Sequence, residues 1–154
     1  MAVFEATIGS DWTADDTFSY LAVFSNAEQW DPGVLEGEQL DPGPVRVGSR
    51  FRLVVPFLGR KLPLVYRVTE FSAGDRRIVL DAASRLLRAT DRIAVRPGPT
   101  RAGAAVSYQA EVTLAGPLRL LDPVLGRGFR AVGERAAAGL AGALASGDTA
   151  ARTP

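Results

Sequence analysis

Residues 104–114 read Ala104-Ala105-Val106-Ser107-Tyr108-Gln109-Ala110-Glu111-Val112-Thr113-Leu114, and shortly after them come Leu121, Leu125, Phe129, Val132, Ala136, Leu140 and Ala143. In the first stretch every second residue is apolar from Val106 to Leu114, the signature of a strand with one buried face. In the second, apolar residues return every three or four positions, the stripe of a long amphipathic helix. Pro123 suits its first turn, where the missing N–H costs nothing. The change of period within a few residues decides the fold class, α+β: an antiparallel sheet leaves one apolar face uncovered, and the helix carries the stripe that covers it.

Working outward, the same alternation predicts strands near Val34–Leu40, Ser49–Pro56, Lys61–Phe71, Arg77–Ala82 and Leu87–Val95. Short Gly, Pro and Asp connections join them, as in antiparallel hairpins rather than crossovers. Before this meander, Phe4, Ala6 and Ile8 alternate with Glu5 and Thr7, predicting a first strand. Thr13 followed by Ala14-Asp15-Asp16 reads as a helix start, because acids in a first turn face the positive end of the dipole. A second short helical turn over residues 26–29 ends at Trp30-Asp31-Pro32-Gly33. The chain of 154 residues is one domain by length, expected over 1–146, with a flexible tail over 147–154.

There is no Cys and no His. That removes disulfides, thiol nucleophiles, imidazole bases and thiolate or imidazole metal sites, and the expectation is no metal and no cofactor. The basic residues are Arg apart from Lys61, as in GC-rich coding. Residues 1–48 hold nine acids against Arg46, net −8, so the rest of a +1 chain carries +9. Either the fold interleaves the two sets or the surface is dipolar. The overall balance argues against a nucleic-acid partner, and Arg50, Arg52 and Arg67 alternate with apolar residues as on a solvated sheet face. Met1–Asp11 lacks a basic flank and a long apolar run, and no stretch approaches the roughly 20 apolar residues of a spanning helix, so a cytoplasmic location is expected.

Four segments, Trp30-Asp31-Pro32-Gly33, Gly48-Ser49-Arg50-Phe51-Arg52, Tyr66-Arg67-Val68-Thr69-Glu70 and Leu120-Leu121-Asp122-Pro123, occur in an order and spacing that resembles bacterial members of the START/Bet v 1-like (SRPBCC) superfamily. The similarity is to its polyketide cyclase/dehydrase and lipid-transport group, over residues 2–145. It implies a helix-grip fold: a curved seven-stranded antiparallel sheet wrapped around a long C-terminal helix, two short helices after the first strand, and a hydrophobic cavity between. It implies a pocket, not a reaction. Gly9-Ser10-Asp11-Trp12 departs from the group's frequent Pro-containing turn before the first helix.

Successive connections of a meander alternate between the two ends of the sheet. One end collects residues 41–44, 72–75 and 96–99, ordinary polar turns; the other collects 56–61, 84–88 and 117–121, each with large apolar residues beside cations. Hairpin tips favour turn formers, so this end is expected to be the cavity mouth. Its rim would be Phe57, Leu58, Leu86, Leu118 and Leu121, with Arg60, Lys61, Arg85 and Arg119 drawing an anionic or polar head or an anionic membrane surface. The alternative is that these tips cap the core. Strand phase turns Phe51, Leu53, Val55, Leu64, Tyr66, Val106 and Tyr108 inward, with Leu125, Phe129 and Val132 from the helix and Trp30 near the rim. These are the candidate ligand contacts, core packing being the alternative for the aliphatic ones. Buried phenols need hydrogen-bond partners, which makes Tyr66 and Tyr108 informative.

Asp91 falls in phase with Leu87, Ala89, Ile93 and Val95, a carboxylate on the apolar face. It is either a general base or ligand anchor with a raised pKa, or a structural group held by a salt bridge or backbone hydrogen bond. With Tyr66 and Tyr108 it completes the catalytic candidates. Gly126-Arg127-Gly128-Phe129-Arg130-Ala131 spells a dinucleotide loop but lies inside the helical stripe, where the glycines would serve close packing or a helix irregularity. The leading expectation is a carrier that sequesters a small hydrophobic or amphipathic molecule: a lipid, an isoprenoid or, as the resemblance implies, a polyketide. A polyketide cyclase/aromatase or dehydratase using cavity shape and Tyr, Asp and Arg groups is the enzymatic alternative, and docking of a protein partner through the apolar end is the third. Monomer and homodimer stay open.

Overall fold

The computed structural model describes residues 1–98 and 103–145; the expected tail, 147–154, lies outside the described residues. The elements are β1 (Ala2–Ser10), α1 (Ala14–Ala22), a 3-10 turn (Phe24–Asn26), α2 (Ala27–Trp30), β2 (Glu36–Gln39), β3 (Arg50–Phe57), β4 (Arg60–Ser72), β5 (Arg77–Ala83), β6 (Leu87–Pro97), β7 (Ala104–Leu114), a second 3-10 turn (Gly116–Leu121) and α3 (Asp122–Leu144). One antiparallel sheet runs β1-β7-β6-β5-β4-β3-β2, so the meander is closed on its far side by the first strand. This is the helix-grip arrangement, with α3 packed chiefly on β1.

The helix starts follow local chemistry. Thr13 Oγ1 accepts the Asp16 N–H at 3.1 Å as an N-cap, and Asp15 and Asp16 occupy the first turn of α1. The Thr17 hydroxyl donates to the Thr13 carbonyl and also bonds the buried Ser10 hydroxyl, tying α1 to the end of β1. Asp122, at the start of α3, accepts the Leu114 N–H and pairs with the Met1 amino group. At the other end of α3 the Leu144 carbonyl accepts the Asp11 N–H, so both ends are fixed to the β1–β7 edge.

Local irregularities mark β2 and β4. β2 is shorter than expected because Val34 is buried against the core and Gly37 packs so closely on the Ser25 carbonyl that a Cβ would collide with it. In β4 a bulge between Val68 and Glu70 shifts the register. Glu70 therefore turns out to pair with Arg77, and Phe71 turns in to meet Phe18.

The stripe on α3 is divided. Ala136, Leu140 and Leu144 are buried with Gly133, whereas Leu121 and Val132 are exposed and Leu125 and Phe129 are half-buried. The fully buried positions of the helix all fall in its C-terminal half. Close seating comes from Gly133, against the Phe4 ring, and Gly139, against the Trp30 carbonyl, where a Cβ would collide. Gly126 and Gly128, expected to serve packing or an irregularity, lie in regular helix with open space around them. The charge halves are interleaved: Asp15–Arg76, Glu36–Arg52 and Asp41–Arg50 each join an acid from the first 48 residues to an arginine from the remainder.

A polar cluster inside an apolar cavity

Where the N-terminal half of α3 stands off the sheet, a cavity of about 790 Å³ remains. That is within the roughly 300–1,000 Å³ of small-molecule sites. Its floor is the inner face of the sheet, with Leu53 and Val55 from β3, Leu64 and Tyr66 from β4, Asp91 from β6 and Tyr108 from β7. Leu125, Phe129 and Val132 of α3 form the roof, and Phe24, Trp30 and residues 31–34 close the side. Pro32, Pro56, Gly128, Val132 and Arg135 line it and are also exposed, so it opens between α3, the α2–β2 loop and the end of β3.

Of the inward set expected from phase, Trp30, Leu53, Val55, Leu64, Tyr66, Asp91, Tyr108, Leu125, Phe129 and Val132 all line the cavity. Phe51 and Val106 do not; they share the inward phase but are fully buried farther along their strands, where α1 and the C-terminal half of α3 fill the space. At the expected rim only Phe57 reaches the lining. Arg60, Lys61, Arg85 and Arg119 project to solvent, Leu86 and Leu118 are half-buried outside it, and Leu58 and Leu121 are exposed. The opening is displaced toward the helix because a hairpin places its tip beyond the sheet, whereas the gap arises where α3 leaves it. Leu58 is exposed for a local reason: Leu58-Gly59 forms a two-residue turn with both φ positive.

The polar groups gather at the inner face. Asp91 is 5% exposed and, instead of a salt bridge, accepts a hydrogen bond from the Tyr108 hydroxyl. Burial pushes its carboxyl up to about 7, the Tyr108 bond opposes this, and the charges of Asp31 and Asp81 add to the rise. The Tyr66 and Tyr108 phenols are raised well above their usual range, first by burial and then by Asp91. Trp30 packs edge-on to Tyr108 at 6.0 Å between ring centroids, and Phe24 meets Tyr66 at 5.0 Å.

Asp31 completes the cluster and was not among the residues singled out by phase, since it lies in a loop. Its Oδ1 accepts the Gly33 N–H at 2.7 Å, and burial raises its pKa against that bond. The available signal was its place directly after Trp30 and before Pro32-Gly33, which folds an Asp side chain back over the turn.

A sheet gripping a helix around an apolar cavity with an internal polar cluster defines the helix-grip class of ligand-binding folds. Residues 1–145 match the polyketide cyclase/dehydrase and lipid transport family, and the chain belongs to it. A START superfamily protein from Mycobacterium smegmatis superposes with a TM-score of 0.75 at 16% identity, over 94% of this chain and 97% of the other. The Zhui aromatase/cyclase from Streptomyces sp. R1128 gives 0.71 at 16% identity, over 92% and 90%. A Thermobifida fusca protein gives 0.61 at 25% identity, over 94% and 96%. No curated protein matches the sequence at a significant level.

Proposed function

We propose that the protein binds one small hydrophobic or amphipathic molecule in this cavity and acts as a carrier. The observation that carries the reading is the cavity itself: about 790 Å³ bounded mainly by aliphatic and aromatic side chains, with its polar side chains gathered in one cluster apart from Arg135 at the opening. Burying an apolar ligand body there supplies the driving force, about 25 cal/mol per Å², while the cluster orients one end. Saturable one-to-one binding of the neutral probe N-phenyl-1-naphthylamine, with quenching of Trp30, tests it. An Ala110→Phe variant, which fills the cavity from β7, is expected to abolish binding; unchanged binding in that variant, or none in the parent, counts against the reading.

One observation favours catalysis as a second reading. A buried carboxyl with a pKa near 7, hydrogen-bonded to a phenol inside a cavity, is suited to general acid and base chemistry. A cyclisation or dehydration could use Asp91 to move a proton and Tyr66 or Tyr108 to hold a carbonyl oxygen. Turnover of a poly-β-keto thioester analogue that is lost in Asp91→Asn would favour this reading over carriage. The exposed Leu120, Leu121 and Val124 beside Arg119 and Arg127 support brief contact with an anionic membrane during ligand transfer, measurable by vesicle co-sedimentation.

A further inference from the structure

The cavity contains two carboxylates and no compensating cation. Neither Asp31 nor Asp91 forms an ion pair among the described residues; the only basic side chain on the lining is Arg135, on the exposed face of α3 at the opening. Buried charges are normally paired. Tyr66 adds an independent observation: it is 7% exposed, lines the same cavity, and its hydroxyl makes no hydrogen bond among the described residues. One oxygen of Asp91 is taken by Tyr108 and one of Asp31 by Gly33, which leaves an acceptor on each. The surrounding walls are aromatic, from Phe24, Trp30, Tyr66 and Tyr108, whose ring faces attract cations.

We propose that the ligand has an apolar body and a protonated amine head, with the ammonium held among Asp31, Tyr66 and Asp91. This rests on the cavity-binding reading and narrows it. A primary ammonium brings three N–H donors and no acceptor, matching a cluster whose unfilled positions are mainly acceptors. A carboxylate or phosphate head would meet two like charges without a cation to offset them. An alcohol would be tolerated but would leave the carboxylates uncompensated.

The test uses decylamine, decanol and decanoate, each titrated calorimetrically into the full chain below its micelle concentration at pH 8. Decylamine is expected to bind at least about tenfold more tightly than decanoate, as charge-assisted hydrogen bonds require. Its affinity should rise between pH 6 and 8 as Asp91 ionises, and at pH 7 binding should release a fraction of a proton, read by comparing buffers of different ionisation enthalpy. The groups acting on Asp91 in that titration are Tyr108 from β7, Tyr66 from β4 and Asp31 from the α2–β2 loop inside the cavity, and the charge of Asp81 on the outer face of β5. Asp91→Asn should remove the pH dependence and reduce the affinity ratio of decylamine over decanol at least about tenfold. Tyr66→Phe, which keeps the ring and its packing, should weaken decylamine more than decanol. Equal or tighter binding of decanoate overturns the proposal but leaves the cavity-binding reading standing. If none of the three binds and N-phenyl-1-naphthylamine also fails, both fall.

Discussion

The Tyr108 hydroxyl donates to Asp91 Oδ2 diagonally across two paired strands, since Asp91 of β6 stands opposite Ala110 of β7 and Tyr108 opposite Ile93. Cross-strand diagonals are within reach of an aromatic side chain, so the sheet itself holds the phenol over the carboxylate. Removing that donor while keeping the ring should leave burial unopposed. Tyr108→Phe is expected to move the Asp91 midpoint above 7, read by carbon-detected NMR of the carboxyl across a pH series.

Asp91 also sets a pH dependence of stability. Its carboxyl is raised from an ordinary value near 4 to about 7 in the folded protein. The folded state therefore keeps a proton that the unfolded chain gives up over this interval. Stability contributed by this group is greatest below about pH 4, falls as pH rises through about 7, and is level above, a total change on the order of 4 kcal/mol. Asp91→Asn should flatten that slope and raise the denaturant midpoint at pH 8, with little effect at pH 4. A parent protein whose stability is flat between pH 5 and 8 would contradict this.

Glycines along α3 should respond in opposite directions. Gly139→Ala drives a Cβ into the Trp30 backbone carbonyl, which has no rotamer to escape by, and is expected to cost at least about 1–3 kcal/mol. Gly126→Ala and Gly142→Ala meet open space and gain helix propensity of roughly 1 kcal/mol each. Urea denaturation of the three variants measures both signs.

The β3–β4 turn contains a correctable strain. Leu58 adopts φ 51°, a conformation that a side chain without local hydrogen bonding resists, and it is 69% exposed. Leu58→Asn should therefore stabilise the fold by a few tenths to about 1 kcal/mol through the Asn-Gly turn it creates. A loss of thermal stability would show that Leu58 makes contacts its exposure conceals.

The two halves of α3 should separate stability from binding. Leu144 is fully buried and lies off the cavity lining, and Leu144→Ala is expected to cost about 2–5 kcal/mol while leaving probe binding in place. Phe129 is half-buried on the cavity wall, so Phe129→Ala should cost less stability yet weaken binding of N-phenyl-1-naphthylamine. Parallel chemical denaturation and probe titration distinguish the two.

Most of the fold was legible because period is a local property. The two-residue alternation of Val106–Leu114 and the three-to-four spacing from Leu125 to Leu140 are each imposed by backbone geometry acting over a few residues. The same rule put Asp91 on the inner face, and capping chemistry, equally local, put Thr13 at a helix start. It could not reach Asp31, where a loop has no phase to read, nor the bulge between Val68 and Glu70 that shifts the β4 register.

Sequence by itself determined which residues face inward, the order of the elements, and the absence of imidazole and thiol from any site. Tertiary structure alone decided which inward residues border space rather than neighbours. Phe51 and Leu53 lie two positions apart on one face of β3, yet only Leu53 lines the cavity. The difference depends on where α3 parts from the sheet, a relation between elements distant in the chain that no local periodicity encodes. The same separation of the helix leaves Asp31, Tyr66, Asp91 and Tyr108 bordering one cavity, from four segments whose spacing along the chain carries no sign of their meeting.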